Sequence, residues 1–205
     1  MEGMQLKNRE DTLEWLKGTQ MEYELVEHEA VPTVAEMLEK VKFSTPTILA
    51  KNLFLKNKKK EDSYYLVVAQ HDTAVNNDLL AKHFGVAKGN LRNGEADTMF
   101  SVLGVKPGSV NLFSIINDSE DKVKLVLDRK VHEAANIGVH PMDNTATVRI
   151  GQDVLNYIIS FSNHEAEIID FAELASKTTQ EDAKKAEKKK EEEKKSSKGK
   201  IDDSH

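Results

Sequence analysis

The chain contains no cysteine. This excludes disulfides, a cysteine nucleophile and cysteine-ligated zinc. No run approaches the roughly 18 apolar residues needed to cross a membrane. The segment Met1-Glu2-Gly3-Met4-Gln5 lacks the basic and apolar regions of a secretory signal. No membrane partner is expected, and the expected location is the cytoplasm. Common catalytic signatures are missing too. There is no phosphate loop of Walker type, no HEXXH zinc motif and no G-x-S-x-G nucleophile elbow. His132 and His140 do not stand at the spacing of helical metal ligands, and His28, His71, His83 and His164 are scattered. Neither a metal nor a cofactor is expected. No internal repeat is present.

Charge is unevenly placed. Of the 29 Lys+Arg and 35 Asp+Glu, ten and eight fall in residues 177–205, which leaves 19 against 27 and a formal charge of −8 in residues 1–176. The terminal stretch has almost no large apolar residue, Ile201 excepted. Such a segment buries too little surface to offset the entropy of ordering. A length of 205 residues fits one domain plus this appendage. The expected division is a domain over 1–174 and a charged linker or tail over 175–205, disordered or partly helical. The tail is a candidate tether to a further domain or complex.

Residues 1–174 mix helical and extended patterns. Asp11-Thr12-Leu13-Glu14 has capping-box spacing with Gly18 as a stop, and Thr33-Val34-Ala35-Glu36 is a second box. Tyr23–His28 alternates like a strand. Asn52–Lys56 and Tyr64–Ala69 read as strands joined by a hairpin turn over Asn57–Asp62. Helices are expected from Asn77 to about Gly85, from Asp97 to Gly104, and from Asp153 to Ile159. Further strands are expected at Val110–Ile116, Val123–Leu127, Thr145–Ile150 and Glu167–Phe171. Without a strict βαβ repeat, the fold class is α+β with a mixed sheet.

Three segments carry polar groups that ask for a reason. In Ala50–Leu55, alternation puts Lys51 on the face of Leu53 and Leu55, and Asn52 on the face of Phe54. A lysine among apolar neighbours seeks an anion or a carbonyl oxygen, or it snorkels to solvent. In Leu103-Gly104-Val105-Lys106-Pro107-Gly108-Ser109-Val110, two glycines flank a proline. That composition suits close approach of a ligand to a stiff backbone, or an ordinary helix-to-strand turn. In Val139–Thr147, a histidine, a proline, an amide and two hydroxyls crowd nine residues. His140 either bonds a ligand or locks its own loop.

Taken in order, these segments resemble the prolyl-tRNA synthetase-associated domain and the YbaK/ProX-type aminoacyl-tRNA editing domains. The matching text is Lys51-Asn52-Leu53-Phe54-Leu55, then Gly104–Val110 with Ile115-Ile116-Asn117-Asp118, then His140-Pro141-Met142 with Asn144-Thr145-Ala146-Thr147. The segment His28–Glu36 is similar to its family counterpart. The resemblance spans roughly residues 10–172 and is nearer to the ProX alanine-editing branch than to the YbaK cysteine-editing branch.

That resemblance implies a single domain whose mixed, curved, partly barrel-like sheet is surrounded by helices. It implies hydrolysis of the ester joining a wrong amino acid to the 3′-terminal adenosine of tRNA, here alanyl-tRNA(Pro). Seryl- or cysteinyl-tRNA editing, or a non-catalytic adaptor of a synthetase complex, are the alternatives. The implied partners are the acceptor end of mischarged tRNA(Pro) and, through the charged tail, a prolyl-tRNA synthetase or multisynthetase complex. No protein nucleophile is evident, so water is the expected attacking group, positioned or activated with the tRNA's own 2′-hydroxyl. Lys51 would contact the terminal phosphate or the ester, and Asn52 would orient the substrate. The backbone from Gly104 to Ser109, with Val105, Pro107 and Gly108 between, would bind the ester or ribose. His140 would orient the alanyl group, Thr33 would wall the pocket, and Asn144 and Thr145 would support the His140 loop at its substrate-facing side.

Overall fold

A computed structural model describes residues 4–30 and 34–177. Thr33, expected in the pocket wall, lies outside the described residues, as do residues 178–205 of the expected tail. The chain divides into two compact units, Met1–Asp170 and Phe171–His205. In the second, residues 171–177 are helical, and Lys177 pairs with Glu173 one turn earlier.

The first unit is α+β. Its strands are β1 (Tyr23–Glu27), β2 (Ile48–Asn57), β3 (Tyr64–Gln70), β4 (Leu91–Asn93), β5 (Val123–Asp128), β6 (Asn136–Val139), β7 (Ala146–Gly151) and β8 (Ala166–Ile169). Its helices are α1 (Arg9–Thr19), α2 (Val34–Lys40), α3 (Asn77–His83), α4 (Ala96–Leu103), α5 (Arg129–Glu133) and α6 (Gln152–Phe161), with a 3-10 turn at Leu112–Asn117. The strands form one mixed sheet in the order β1-β7-β6-β2-β3-β5-β8, with β4 also on β2. Pairs β2–β6, β3–β5 and β5–β8 are parallel and the others antiparallel. β3 lies between β2 and β5 and is buried from Tyr64 to Ala69, so its sequence is continuously apolar rather than alternating.

Local signals explain most elements. Asn8 caps α1: its side chain accepts from Asp11 N at 2.9 Å, and Asp11 Oδ2 accepts from Lys7 N at 2.9 Å. Asp11 is therefore the reciprocating third residue of the cap, not its first. The helix runs through Gly18 and ends on Gln20 in the left-handed region, φ 60°. Asn76 caps α3 by accepting from Asp78 N and Leu79 N. Trp15 anchors α1 on the core, edge-on to Phe113 at 6.1 Å and stacked on Tyr157 at 5.5 Å.

One expected strand is absent. Val110–Ile116 instead contains the 3-10 turn, and Leu112 to Ile116 are all buried. A short, wholly buried apolar run has no period that separates strand from helix. Asn111 decides the outcome, because its Oδ1 accepts from Ser114 N and its carbonyl accepts from the Ser114 hydroxyl. Three short elements, β4, α5 and β6, were not expected.

The arrangement around β2 positions the site. β3 occupies one edge of β2. The other edge is shared: β6 takes Ile48 and Leu49, and β4 takes Leu55 to Asn57. Leu49 O accepts from His71 N on the β3 side, whereas Phe54 O accepts from Gly94 N on the β4 side. By the antiparallel alternation, Ala50 and Asn52 direct their main-chain groups at the stretch between β6 and β4. No described strand covers that stretch.

Candidate functional site: a cavity at the open edge of β2

A cavity of about 350 Å3 opens at this gap. Lys51 and Asn52 line it from β2, Pro107 and Gly108 from the loop after α4, and His140 from the end of β6. The register places Lys51 opposite Ala69 and Asn52 opposite Val68, on opposite faces of β2. Both reach the same cavity because it lies at an uncovered edge, which is accessible from either face.

Lys51 is half-buried, and its Nζ donates a hydrogen bond to the Thr73 carbonyl. An ammonium has three donors, so two remain for a ligand. Asn52 Oδ1 and His71 Nδ1 are buried without a hydrogen-bond partner among the described residues. Leaving such a group unsatisfied costs about 1–3 kcal/mol, which favours a ligand that supplies the missing bond. Met37, Leu53, Met99 and Val110 give the cavity an apolar wall. The described lining contains no hydroxyl, thiol or carboxylate side chain.

The glycines of the second segment have separate jobs. Gly104 ends α4 at φ 70°, and a Cβ there would stand 2.8 Å from Asn117 Nδ2. That amide donates to Leu6 O and Leu103 O, so Gly104 belongs to a packed corner rather than to the cavity. Val105 is in the core, 2% exposed. Gly108 adopts φ 89° with nothing within 4 Å of an added Cβ. Together with Pro107 and the bond from Ser109 N to Lys106 O at 3.0 Å, this matches a type II turn. Gly104, Val105 and Ser109 do not line the cavity; Ser109 closes the turn that carries Pro107 and Gly108.

The His140 loop is tied from both sides. Its Nδ1 lies 2.9 Å from the Ala146 carbonyl. A carbonyl only accepts, so Nδ1 carries the proton and a neutral ring leaves the Nε2 lone pair available. Burial pushes the imidazole below its ordinary value; the Ala146 carbonyl and Asp143 oppose this, and His28, 6.1 Å away between ring centroids, adds to it. Asp143 Oδ1 accepts from Thr145 N at 2.6 Å and from the Thr145 hydroxyl, closing the turn. Neither Asn144 nor Thr145 lines the cavity. Buried Asn111 joins the two loops, donating to Ser109 O at 2.8 Å and contacting Met142 Sδ at 3.3 Å.

Among the described residues, no group of three His, Asp or Glu side chains is placed to hold a metal. A larger cavity of about 710 Å3 lies around Lys60, Lys122 and His164. None of the expected site residues lines it, and Lys122 is already ion-paired with Asp62 and Glu120.

Residues 28–157 match the profile of the aminoacyl-tRNA editing domain. The chain belongs to the aminoacyl-tRNA editing domain family. Lys51, Asn52, Pro107, Gly108 and His140 all fall inside the matched span. Prolyl-tRNA synthetase associated domain-containing protein 1 of Mus musculus is 36% identical over 150 residues, covering 72% of this chain and 87% of that protein. The prolyl-tRNA editing protein ProX of Acetoanaerobium sticklandii is 29% identical over 167 residues, covering 82% of this chain and 99% of that one. A solved structure described as that of a candidate trans-editing enzyme for prolyl-tRNA synthetase superposes with a TM-score of 0.57 at 15% identity, over 80% of this chain and 97% of that one. That last likeness shows that the editing-domain fold is shared.

Sequence reasoning missed His71, Asn93 and the methionines of this editing-domain cavity. A signal for His71 existed: it follows β3 and stands opposite Leu49, on the Lys51 face of the sheet. Asn93 sits on a three-residue strand, too short to leave a pattern.

Proposed function

We propose that this chain is a deacylase that hydrolyses alanyl-tRNA(Pro) in the cytoplasm as a proofreading step of translation. The observation that carries the reading is the meeting of Lys51, Asn52, Gly108 and His140, from three distant segments, in one small cavity of an editing-family chain. The similarity to a protein named as a prolyl-tRNA editing protein supports the choice of tRNA. A proline pocket in a synthetase cannot exclude the smaller alanine by shape, so a second site that admits only the smaller residue removes the error.

In this reading the alanyl methyl group lies against the apolar wall of Met37, Met99 and Val110. His140 Nε2 accepts a hydrogen bond from the alanyl amino group. Asn52 and the main chain at Gly108 orient the ester and the terminal ribose. Water adds to the ester carbonyl carbon, the bond to the ribose 3′-oxygen breaks, and the products are alanine and a free 3′-hydroxyl. The described lining offers no hydroxyl, thiol or carboxylate nucleophile, and in this reading water attacks while positioning and charge stabilisation carry the rate. The two remaining N–H donors of Lys51 stabilise the oxyanion that develops. The charged segment 175–205 acts as a tether to a synthetase, which raises the effective concentration of tRNA around a domain of formal charge −8.

The test is deacylation of alanyl-, seryl-, cysteinyl- and prolyl-tRNA(Pro) by the purified chain. Hydrolysis of the alanyl ester is expected, with Lys51→Ala reducing kcat/KM about 100- to 1,000-fold, the usual loss for an oxyanion donor. Turnover of cysteinyl-tRNA in preference to alanyl-tRNA, or no turnover at enzyme concentrations near those of substrate, would overturn the reading.

A further inference from the structure

Lys51 does not reach the cavity unassisted. Its ammonium is bound to the carbonyl of Thr73, in the turn that follows β3. That turn closes through Thr73 N to Gln70 O at 3.0 Å. A second bond reaches in from another element. The Thr73 hydroxyl donates to Asp128 Oδ2 at 2.6 Å, with both residues buried, at 7% and 2% exposure. The same oxygen accepts from Gln70 N at 3.2 Å, so one carboxylate clamps both ends of the turn. Asp128 is fixed in its turn: it ends β5, and its Oδ1 caps α5 by accepting from Lys130 N at 3.2 Å.

A carboxylate that accepts from a hydroxyl and main-chain N–H groups in a buried setting makes short, directional bonds. The result is a continuous path from the end of β5, through the Thr73 turn, to the one ammonium in the cavity's described lining. None of its members apart from Lys51 lines the cavity. Lysine carries a long flexible stem, and a flexible donor stabilises a developing charge poorly unless its position is set beforehand.

We propose that Asp128 and Thr73 are positioning residues that hold the Lys51 ammonium at the open edge of β2. The proposal rests on Lys51 acting in ester hydrolysis, as argued above, but its geometric part stands independently. The buried carboxylate organises the turn, the turn presents the Thr73 carbonyl, and the carbonyl fixes one N–H of Lys51 so that the other two point at the substrate. Loss of the Thr73 hydroxyl frees the turn and lets the amine wander. Substrate still binds, but the charge that develops in the transition state is met less well, so the defect falls on kcat rather than KM.

Thr73→Val replaces the hydroxyl with a methyl group of the same size; Thr73→Ser keeps the hydroxyl. With alanyl-tRNA(Pro), Thr73→Val should lower kcat about tenfold with KM within about twofold, and Thr73→Ser should recover most of the loss. In a Lys51→Ala background, Thr73→Val should cost nothing further, because the two residues act as one unit. A second readout needs no substrate: the side-chain ammonium resonance of Lys51, assigned by its loss in Lys51→Arg, should be sharp in the parent and in Thr73→Ser and broadened or lost in Thr73→Val. An unchanged Lys51 signal in Thr73→Val, or a kcat defect that multiplies with that of Lys51→Ala, would overturn the proposal. If the parent chain turns over no alanyl-tRNA, the proposed function fails while the resonance still decides the positioning role. Should Thr73→Val melt below the assay temperature, Asp128→Asn serves the same readouts.

Discussion

At His140 the location of one proton decides what the side chain can do. Nδ1–H is committed to the Ala146 carbonyl, so a neutral ring accepts through Nε2 and a charged ring only donates. Burial holds the pKa below its ordinary value, which keeps the acceptor form at neutral pH. Protonation on acidification abolishes the acceptor, and it does so below the usual histidine range. Deacylation should therefore stay level from neutrality down through pH 6.5, the ordinary histidine value, and fall only in more acidic solution. A pH–kcat/KM profile, with the His140 titration followed by NMR, checks this. An acid limb centred at or above the ordinary value would remove His140 from the proposed role. The substitution His140→Gln keeps an acceptor without the titration and should flatten that limb, at a cost of about tenfold in rate.

At the scale of elements, the pairing of β6 with β2 delivers His140 to the cavity. Only Ile48–Ile137 and Leu49–Gly138 make this parallel contact. A Cβ on Gly138 would meet Leu49 Cδ2 at 2.6 Å and Thr147 Cγ2 at 3.3 Å. Leu49 is buried, so its side chain moves aside only by repacking its neighbours. Gly138→Ala should destabilise the fold by about 1–3 kcal/mol, as overpacking does. It should also reduce activity at temperatures where the protein remains folded, because β6 must shift two residues before His140. Thermal melting and an assay well below the melting point separate the two effects.

The same elements show what the sequence can and cannot tell. Alternation along Lys51–Leu55 already divided Lys51 from Asn52, and the register agrees. It did not tell that the edge beside them is open, because openness depends on two short strands, β4 and β6, from elsewhere in the chain. Gly104 and Gly108 look equivalent in sequence. Only the packing of Asn117 against Gly104, and the open space at Gly108, separate a structural corner from a cavity wall. The run at Val110–Ile116 misled because burial on all sides erases periodicity. Thr73 and Asp128 stand 55 residues apart, and nothing local marks them as partners.

On the scale of the whole molecule, stability should carry a pH signature unconnected with the site. His164 and Asp118 form a buried pair at 3.0 Å, with Ser162 O on the other ring nitrogen at 2.8 Å. Both nitrogens face acceptors, which favours the charged ring. Burial pushes the His164 pKa down, but the Asp118 carboxylate and the Ser162 carbonyl raise it further, above its ordinary 6.5. Burial pushes Asp118 up, but His164 and the N–H groups of Val123 and Lys122 bring it below its ordinary 3.8. The raised histidine stabilises fully below pH 6.5, and that stabilisation fades as pH rises through the higher folded value. The depressed carboxylate stabilises fully above pH 3.8 and fades as pH falls. Their joint contribution is greatest between those limits. His164→Ala strands a buried carboxylate and should cost about 3 kcal/mol near pH 5.5, and less at pH 8.5, where less of the parent's His164 is charged and the lost attraction is smaller. Denaturant melts at the two pH values test this; an equal loss at both would contradict the pairing.

Selectivity is the property that the whole arrangement is proposed to serve. The most direct measurement is the single-turnover hydrolysis rate of alanyl-tRNA(Pro) beside that of correctly charged prolyl-tRNA(Pro), with the same preparation of the chain. A second sieve built from a small cavity predicts rapid loss of the alanyl ester and survival of the prolyl ester, with a ratio of at least about 100. Equal rates for the two esters, or survival of both, would contradict it.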